Sequence, residues 1–363
     1  MESYNYLLVE DSDEDASVCK DTVARMNEER SDFSIVIEVA SDLATALSML
    51  NKTYDGAIID IKLGDHDSGN EVIKEITEKY RIPVSVMTGT PDTILEEDSP
   101  IRIYKKGEVT YEDIITALVD TSRTGLFKVI GGKGILEETM KRVFWKNLYP
   151  KVETWKKLKE QGNDTEAILL RYAIAHIQEL LEDTPFYSRE EVYIAPPLTE
   201  KIRTGCIVKN KHDNLYYVVL SPPCDLAIHN GEMKTDRVML CEIDDYRAVS
   251  LATIGDTGAA KRKKALLPTI KNNGKEYYHW LPKNSVFEGG FINFRKVINY
   301  SPQELGDEFH SPELRIQDAI VKDILGRFSS YYARQGQPDF DFDFEAQSII
   351  DTLYTQTSEL KGS

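Results

Sequence analysis

The first 126 residues alternate between short apolar runs and stretches with the periodicity of an amphipathic helix. The apolar runs predict buried strands at 6–9, 33–40, 56–60, 83–89 and 101–105. The intervening patterns predict helices at 14–30, 42–51, 70–80, 92–97 and 111–122. Because strands joined through helices pair in parallel, this alternation predicts an α/β domain with a doubly wound, five-stranded parallel sheet.

Polar side chains stand where four of these predicted strands end. They are Glu10 and Asp11, then Asp60, then Thr88, and finally Lys105 with Lys106. The carboxyl ends of parallel strands meet at one edge of a sheet, where ligands bind in such folds. Adjacent carboxylates repel one another unless a cation lies among them. A hard divalent cation with oxygen ligands, such as Mg²⁺, would remove that repulsion, so we expect a magnesium site here.

Four motifs at these strand ends resemble those of the receiver domains of bacterial response regulators. They are LLVED, GAIIDIKLGDHDSG, VSVMTGT and IYKKGE, in that order along residues 1–126. The resemblance implies the flavodoxin-like form of the doubly wound sheet and a place in two-component signalling. It also implies that Asp60 accepts a phosphoryl group from a histidine kinase or another phosphodonor.

The same resemblance implies roles for the neighbouring residues. Glu10 and Asp11, together with Asp60 and the backbone carbonyl of Lys62, would hold Mg²⁺. Thr88 would donate a hydrogen bond to a phosphoryl oxygen.

A lysine would pair with another phosphoryl oxygen. We prefer Lys106, because Gly107 can make the turn that proline usually makes after this lysine, and Lys105 stays open as the alternative. Gly64 stands where the family commonly has proline, Gly69 is one residue late, and Ile103 replaces a frequent aromatic residue. With Ile103 at this position, the sequence gives no support for signal transmission through the rotamer of an aromatic side chain.

Three further acids, Asp13, Glu14 and Asp15, follow the first strand. Acidic residues in the first turn of a helix usually favour its positive end, and we assign that structural role to all three.

Residues 127–190 read as a glycine-containing linker followed by a helical connector. Apolar stripes predict helices at 136–158 and 164–181, which we interpret as packing or dimerisation helices of a homodimer. His176 lies in the second helix and is interpreted as a packing residue. The predicted domains are therefore a receiver at 1–126, a connector at 127–190 and an output domain at 191–363.

The output domain reads as α+β, with a largely antiparallel sheet and helices near the C-terminus. Gly, Asn and Pro separate predicted strands at 203–210, 215–221, 236–243, 276–282 and 289–297. Helices are predicted at 311–333 and 344–353.

The segment SPPCDLAIH in this domain places Cys224 beside Asp225, with His229 close behind. A turn or recognition loop is the preferred interpretation. Catalysis by a Cys and His pair and zinc binding with Cys206 and Cys241 stay open as alternatives, although the chain has no CxxC pair.

Charge divides the chain unevenly. Residues 1–126 hold 12 Lys and Arg against 27 Asp and Glu, whereas the remainder holds 32 against 34. The acidic part would repel a polyanion, but the nearly neutral remainder leaves nucleic acid open as a partner. The KRKK cluster at 261–264, which we interpret as a solvated loop, adds to that option.

Four irregularly spaced cysteines and the lack of an apolar run long enough to cross a bilayer indicate a reducing cytoplasm and no membrane partner. No signal peptide is expected at the N-terminus.

These observations predict a phosphorylation-responsive regulator whose output domain binds protein or nucleic acid. Two alternatives stay open. The output domain could be an effector enzyme, such as a nuclease, restrained by the receiver. The receiver could also have lost phosphate cycling and serve in dimerisation alone.

Overall fold

The computed structural model describes residues 1–50, 54–64, 68–89, 100–179, 187–229, 231–334 and 339–359. The chain forms two compact units, Met1–Asp183 and Thr184–Ser363. No helix among the described residues has both the length and the apolar composition needed to span a bilayer.

The first unit is built on the five-stranded parallel sheet that the sequence predicts. Its strands are β1 (Glu2–Val9), β2 (Phe33–Ala40), β3 (Gly56–Ile59), β4 (Val84–Thr88) and β5 (Arg102–Lys105). Their order is β2-β1-β3-β4-β5, and every pair is parallel. This order is that of the flavodoxin-like doubly wound fold, so the predicted fold class is confirmed.

Helices cover both faces of this sheet. They are α1 (Asp13–Glu29), α2 (Leu43–Met49), α3 (Gly69–Lys79) and α4 (Tyr111–Arg123). Alternate residues of β1 enter opposite cores: Tyr6 packs with α1 and α4, whereas Leu7 packs with α2 and α3. The helix predicted at 92–97 lies outside the described residues.

The connector that follows α4 is helical from its start. Its helices are α5 (Leu126–Ile130), α6 (Ile135–Val143), α7 (Val152–Glu160) and α8 (Thr165–Gln178). The segment read as a linker therefore contains a short helix. The single helix predicted at 136–158 is interrupted by a π-helical turn, Phe144–Leu148, and a 3-10 turn, Tyr149–Lys151. Pro150 explains the interruption, because proline has no backbone N–H and disrupts a continuing helix.

The second unit contains a seven-stranded antiparallel sheet and a separate hairpin. Its strands are β6 (Tyr193–Ile194), β7 (Cys206–Lys209), β8 (Tyr216–Val219), β9 (Ile228–His229), β10 (Glu232–Met233), β11 (Val238–Asp245), β12 (Tyr278–Leu281), β13 (Gly290–Tyr300) and β14 (Leu314–Ile316). The order in the large sheet is β12-β13-β11-β8-β7-β14-β6, and β9 pairs with β10. The prediction of a largely antiparallel sheet is confirmed.

The α-helices that the structure describes in this unit are α9 (Tyr246–Ile254), α10 (Ala259–Ile270), α11 (Pro302–Glu308), α12 (Asp318–Tyr332) and α13 (Phe342–Glu359). The sequence analysis missed α9, α10 and α11. The KRKK cluster, interpreted as a loop, lies within α10. The helix predicted at 311–333 is β14 followed by α12, because Leu314 and Ile316 pack into the sheet core.

Candidate phosphorylation site

Three carboxylates meet at the carboxyl edge of the parallel sheet. Glu10 follows β1 and Asp60 follows β3, and the backbone amide of Asp60 continues the strand pairing by donating to the carbonyl of Val9 at 2.9 Å. Carboxylate oxygens of Glu10, Asp11 and Asp60 all lie within 4.8 Å of one another. Glu10 and Asp60 are buried, whereas Asp11 is exposed.

Lys106 provides the positive charge at this cluster. Its Nζ lies 2.7 Å from Asp60 Oδ2 and 2.8 Å from Glu10 Oε2. Lys105 instead pairs with Glu108 at 3.0 Å on the surface. Gly107 turns the chain directly after Lys106 with a φ of +85°, a conformation that glycine adopts without steric cost. Of the two lysines that the sequence left open, the structure places Lys106 among the carboxylates.

A fourth acid joins the cluster. Asp15 Oδ2 lies 2.7 Å from Lys106 Nζ, although the sequence analysis assigned this residue to helix capping alone. Asp15 does stand in the first turn of α1, where its backbone amide donates to the capping Ser12 hydroxyl at 3.2 Å. Its position in the sequence could have identified Asp15. Helix α1 begins four residues after β1 ends, so the first turn of α1 lies at the same edge of the sheet.

Backbone amides hold the carboxylates in place. Gly64 N–H donates to Asp11 Oδ2 at 2.7 Å, and Lys62 N–H donates to Asp60 Oδ1 at 3.3 Å. Ser12 N–H donates to Glu10 Oε1 at 3.2 Å. The sequence analysis predicts that the Lys62 carbonyl binds Mg²⁺. In the structure, the Lys62 amide contacts Asp60.

Thr88 ends β4 and is fully buried. Its carbonyl accepts a hydrogen bond from the Lys106 amide at 2.9 Å, so the chain leaving β5 is anchored to the end of β4. This pairing brings Thr88 and Lys106 to the edge that carries Asp60.

Burial and ion pairing set the protonation of the cluster. Burial raises the pKa of Glu10, and the Lys106 ammonium offsets only part of that effect. Burial opposes the charged form of Lys106, but hydrogen bonds to Asp15, Asp60 and Glu10 outweigh it and raise the Lys106 pKa. Lys106 is therefore a permanent cation in contact with three carboxyl groups.

The donor set fits a hard divalent cation. Three carboxylates supply oxygen ligands, which Mg²⁺ prefers, and one lysine leaves their combined negative charge in excess. Among the described residues, this is the one group of three or more His, Cys, Asp or Glu side chains with metal-site geometry. The zinc alternative with Cys206, Cys224, Cys241 and His229 is thus without geometric support in that part of the chain.

Cys224, Asp225 and His229, which the sequence analysis considered as a site in the output domain, contact residues close to them in the sequence. The exposed Cys224 thiol lies 3.5 Å from Asp225 Oδ1, and the Asp225 amide donates to the carbonyl of Pro222 at 3.0 Å, as in a turn. His229 lies in β9, opposite Glu232. In the connector, His176 Nδ1 lies 2.8 Å from the carbonyl of Tyr172 and its ring packs on that residue.

Comparison with known proteins gives matches among solved structures alone. No family model and no curated protein matches the chain. A receiver domain from Methylobacillus flagellatus is 18% identical, with coverage of 32% of this chain and 99% of that domain and a TM-score of 0.27. The receiver domain of PhyR from Erythrobacter litoralis is 22% identical, with coverage of 34% and 92% and a TM-score of 0.28.

A third structure, the response regulator TrrA from Thermotoga maritima in complex with Mg²⁺ and BeF, is 20% identical, with coverage of 33% and 98% and a TM-score of 0.26. All three matches fall on about a third of this chain. The receiver fold of that third follows from its parallel strand order, β2-β1-β3-β4-β5, with helices on both faces of the sheet.

Proposed function

We propose that this protein is a phosphorylation-responsive regulator in which Asp60 accepts a phosphoryl group from a histidine kinase or another phosphodonor. The observation that supports this function best is the convergence of Glu10, Asp11 and Asp60 within 4.8 Å, with Lys106 2.7 Å from Asp60. A structural role alone does not explain why three acids share one half-buried lysine at a ligand-binding edge, with a fourth acid beside them.

In this proposal each residue acts through its own contacts. Asp60 attacks the phosphorus of the donor, the bond from phosphorus to the donor breaks, and an aspartyl phosphate results. The Lys62 amide orients Asp60 Oδ1, and Lys106 balances negative charge on the transferring oxygens. Thr88 donates its hydroxyl to a phosphoryl oxygen.

Glu10, Asp11 and Asp60 would hold Mg²⁺, with the Lys62 carbonyl as a further ligand. The ion would neutralise the carboxylates and the incoming phosphoryl oxygens.

Phosphorylation would then redistribute Lys106. The ammonium contacts Glu10, Asp15 and Asp60 at 2.7–2.8 Å, and a phosphoryl group with up to about two negative charges competes for the same hydrogens. Loss of the contact to Asp15 would free the first turn of α1, so we propose that α1 responds to phosphorylation together with the Thr88 loop.

We further propose that the connector mediates homodimerisation. Phe144, Trp145 and Tyr149 pack against one another edge-to-face or at a tilt at the interrupted helix, yet all three side chains are exposed. An exposed aromatic cluster of this kind is typical of an interface, and a second copy would cover it.

The output unit would bind a polyanion or a protein. Residues 261–264 of α10 are four consecutive exposed cations, and none of them forms an ion pair within the described chain. Exposed cations that form no ion pair favour nucleic acid as the partner, with binding that weakens as salt increases.

The switch is tested by titrating the full chain with beryllofluoride and Mg²⁺, in parallel with Asp60→Asn. We expect hydrogen exchange in the wild-type protein to slow at Thr88 and Lys106 and to accelerate at the start of α1, and we expect no change at any of them in the variant. Equal protection in both proteins, or none in either, would leave the receiver as a dimerisation module without phosphate cycling.

A further inference from the structure

The last helix of the second unit, α13, has an apolar face that is exposed along its length. Its residues recur at the spacing of one helix face, and they are Phe342, Ala346, Ile349, Ile350 and Leu353. Every described side chain of α13 is exposed, with Phe342 at 58% and Ile349 at 60%. A contiguous exposed apolar surface of this kind is typical of an interaction site.

The apolar face of α13 has acidic flanks. With 3.6 residues per turn, Asp343 lies on one side of the face and Glu345 on the other. Residues 339–353 contain five acids and no Lys or Arg. Asp341 accepts a hydrogen bond from the Phe344 amide at 3.0 Å and caps the helix, but Asp343 and Glu345 form no ion pair within the described chain. A partner of α13 should therefore offer an apolar surface with cations beside it.

The same unit carries an apolar groove between α9 and α10. Its volume is about 510 Å³, and its apolar lining comes from Tyr246, Leu251, Leu266, Ile270, Trp280 and Phe291. Leu251 is 70% exposed, so the groove is open to solvent. Amphipathic helices bind such grooves through side chains at positions i, i+4 and i+7, which is the spacing of Phe342, Ala346 and Ile349.

Cations lie beside this groove. Arg262 and Lys263 precede Leu266 by four and three residues, so they lie one turn away on the same face of α10. Arg262 donates to the carbonyl of Thr257 at 3.2 Å, and neither cation forms an ion pair within the described chain. Arg247, which lines the groove, forms none there either. These cations complement the acids that flank the apolar face of α13.

We propose that α13 of one copy of this chain docks in the α9–α10 groove of a second copy. The apolar face enters the groove, and Asp343 and Glu345 face the cations of α10. A single chain leaves both surfaces exposed, so a second copy supplies the partner that each of them lacks. Reciprocal docking gives a closed, twofold-symmetric pair in which each groove holds the other copy's helix.

This contact is separate from the aromatic cluster of the connector, and it does not depend on phosphorylation of Asp60. It uses cations of residues 261–264, the surface proposed above for nucleic acid. The second copy and nucleic acid would therefore compete for these cations.

Photocross-linking of the full chain tests the proposal. The photoreactive amino acid p-benzoylphenylalanine replaces Phe342, in an equilibrated mixture of isotope-labelled and unlabelled protein. We expect cross-links from position 342 to residues 246–251 or 266–280, some of them joining a labelled to an unlabelled peptide. Cross-links to the groove that never join the two labels would place α13 in the groove of its own chain and overturn the proposal, as would the absence of cross-links to the groove.

Two pairs of variants then locate the two surfaces. Ile349→Glu places a carboxylate in the apolar face and Leu251→Glu places one in the groove, so each should lower the yield of cross-links between copies by at least about tenfold. Phe344→Glu, on the opposite side of α13, and Leu198→Glu, at a fully exposed leucine outside the groove lining, are the matched controls and should keep the wild-type yield.

All four substituted side chains are exposed, so we expect each variant to fold, and circular dichroism checks this. Equal yields within either pair of folded variants would contradict docking of the apolar face of α13 in the groove.

Discussion

Lys106 and Lys105 are chemically identical neighbours with different surroundings. Lys106 contacts three carboxylates at the sheet edge, whereas Lys105 pairs with Glu108 at the surface. We expect Lys106→Met to slow phosphorylation of Asp60 by about a hundredfold, because one preorganised charge is worth that much in such a site. Phosphate-affinity electrophoresis after incubation with acetyl phosphate measures the rate.

Lys105→Met is the matched control for this experiment and should be phosphorylated at the wild-type rate. A slow Lys105→Met variant beside a normal Lys106→Met variant would show that the other lysine acts in transfer.

His279 provides a prediction for pH. Burial, together with the charge of Arg327, lowers the pKa of His279 to about 3, against an ordinary value of 6.5. Between these values the unfolded chain binds a proton that the folded chain does not, so stability falls as pH falls below about 6.5. We expect wild-type protein to lose about 2 kcal/mol more than His279→Phe between about pH 7.5 and about pH 5.

Urea unfolding at each pH measures this difference. If the free energy of unfolding fell with pH equally in the wild-type protein and the variant, His279 would take up its proton over the same pH range in the folded and the unfolded protein, which would contradict this prediction.

The sequence located most strand-end residues but not all of the cluster. Glu10, Asp60 and Thr88 could be predicted, because parallel strands bring their carboxyl ends to one edge whatever the side-chain details. The choice between Lys105 and Lys106 depended on where β5 ends, to within one residue. Asp15 was missed because a first-turn acid has a sufficient local explanation as a helix-stabilising charge.

Gly69 is the first residue of α3 and lies against the backbone of Asp60 and Ile61, which follow β3. A Cβ at this position would lie 2.1 Å from the carbonyl oxygen of Asp60 and 2.6 Å from Ile61 Cα. We expect Gly69→Ala to lower the free energy of unfolding by about 1–3 kcal/mol, because these backbone atoms must move apart. Urea unfolding measures the loss, and the displaced Asp60 should also be phosphorylated more slowly.

Gly89 provides the comparison, since a Cβ there would meet no atom of the described residues within 4 Å. Gly89→Ala should change the free energy of unfolding by less than about 0.5 kcal/mol. Equal effects of the two substitutions would rule out crowding at Gly69 as the cause.

Elements with clear periodicity could be predicted, and those whose sequence signals compete could not. The five parallel strands are short apolar runs with a single interpretation. The helix α10 contains four consecutive cations and an internal proline, Pro268, so its apolar face is hard to recognise. β14 was absorbed into the following helix because Leu314 and Ile316 fit either period.

The aromatic cluster of the connector bears on the assembly of the whole chain. Trp145 is 64% exposed, and burying it between two copies would stabilise a dimer. We expect Trp145→Glu to shift the protein toward monomer, with a dissociation constant raised by at least about tenfold, equivalent to about 1.4 kcal/mol. Sedimentation equilibrium measures the constant.

Val36→Glu introduces the same charge at another exposed apolar side chain, on β2, and should leave the assembly unchanged. A dimer that persists in Trp145→Glu would place the interface elsewhere.

Helix α4 joins the two ends of the receiver. It begins at Tyr111, whose pKa is raised first by burial and then by the charge of Glu10, and its thirteen residues extend to Arg123, just past Ser122. A helix of this length measures about 20 Å and moves as one rigid rod. If its position differs between the phosphorylated and unphosphorylated protein, any molecule that binds against its Arg123 end and a phosphoryl group on Asp60 must alter each other's equilibrium by the same factor.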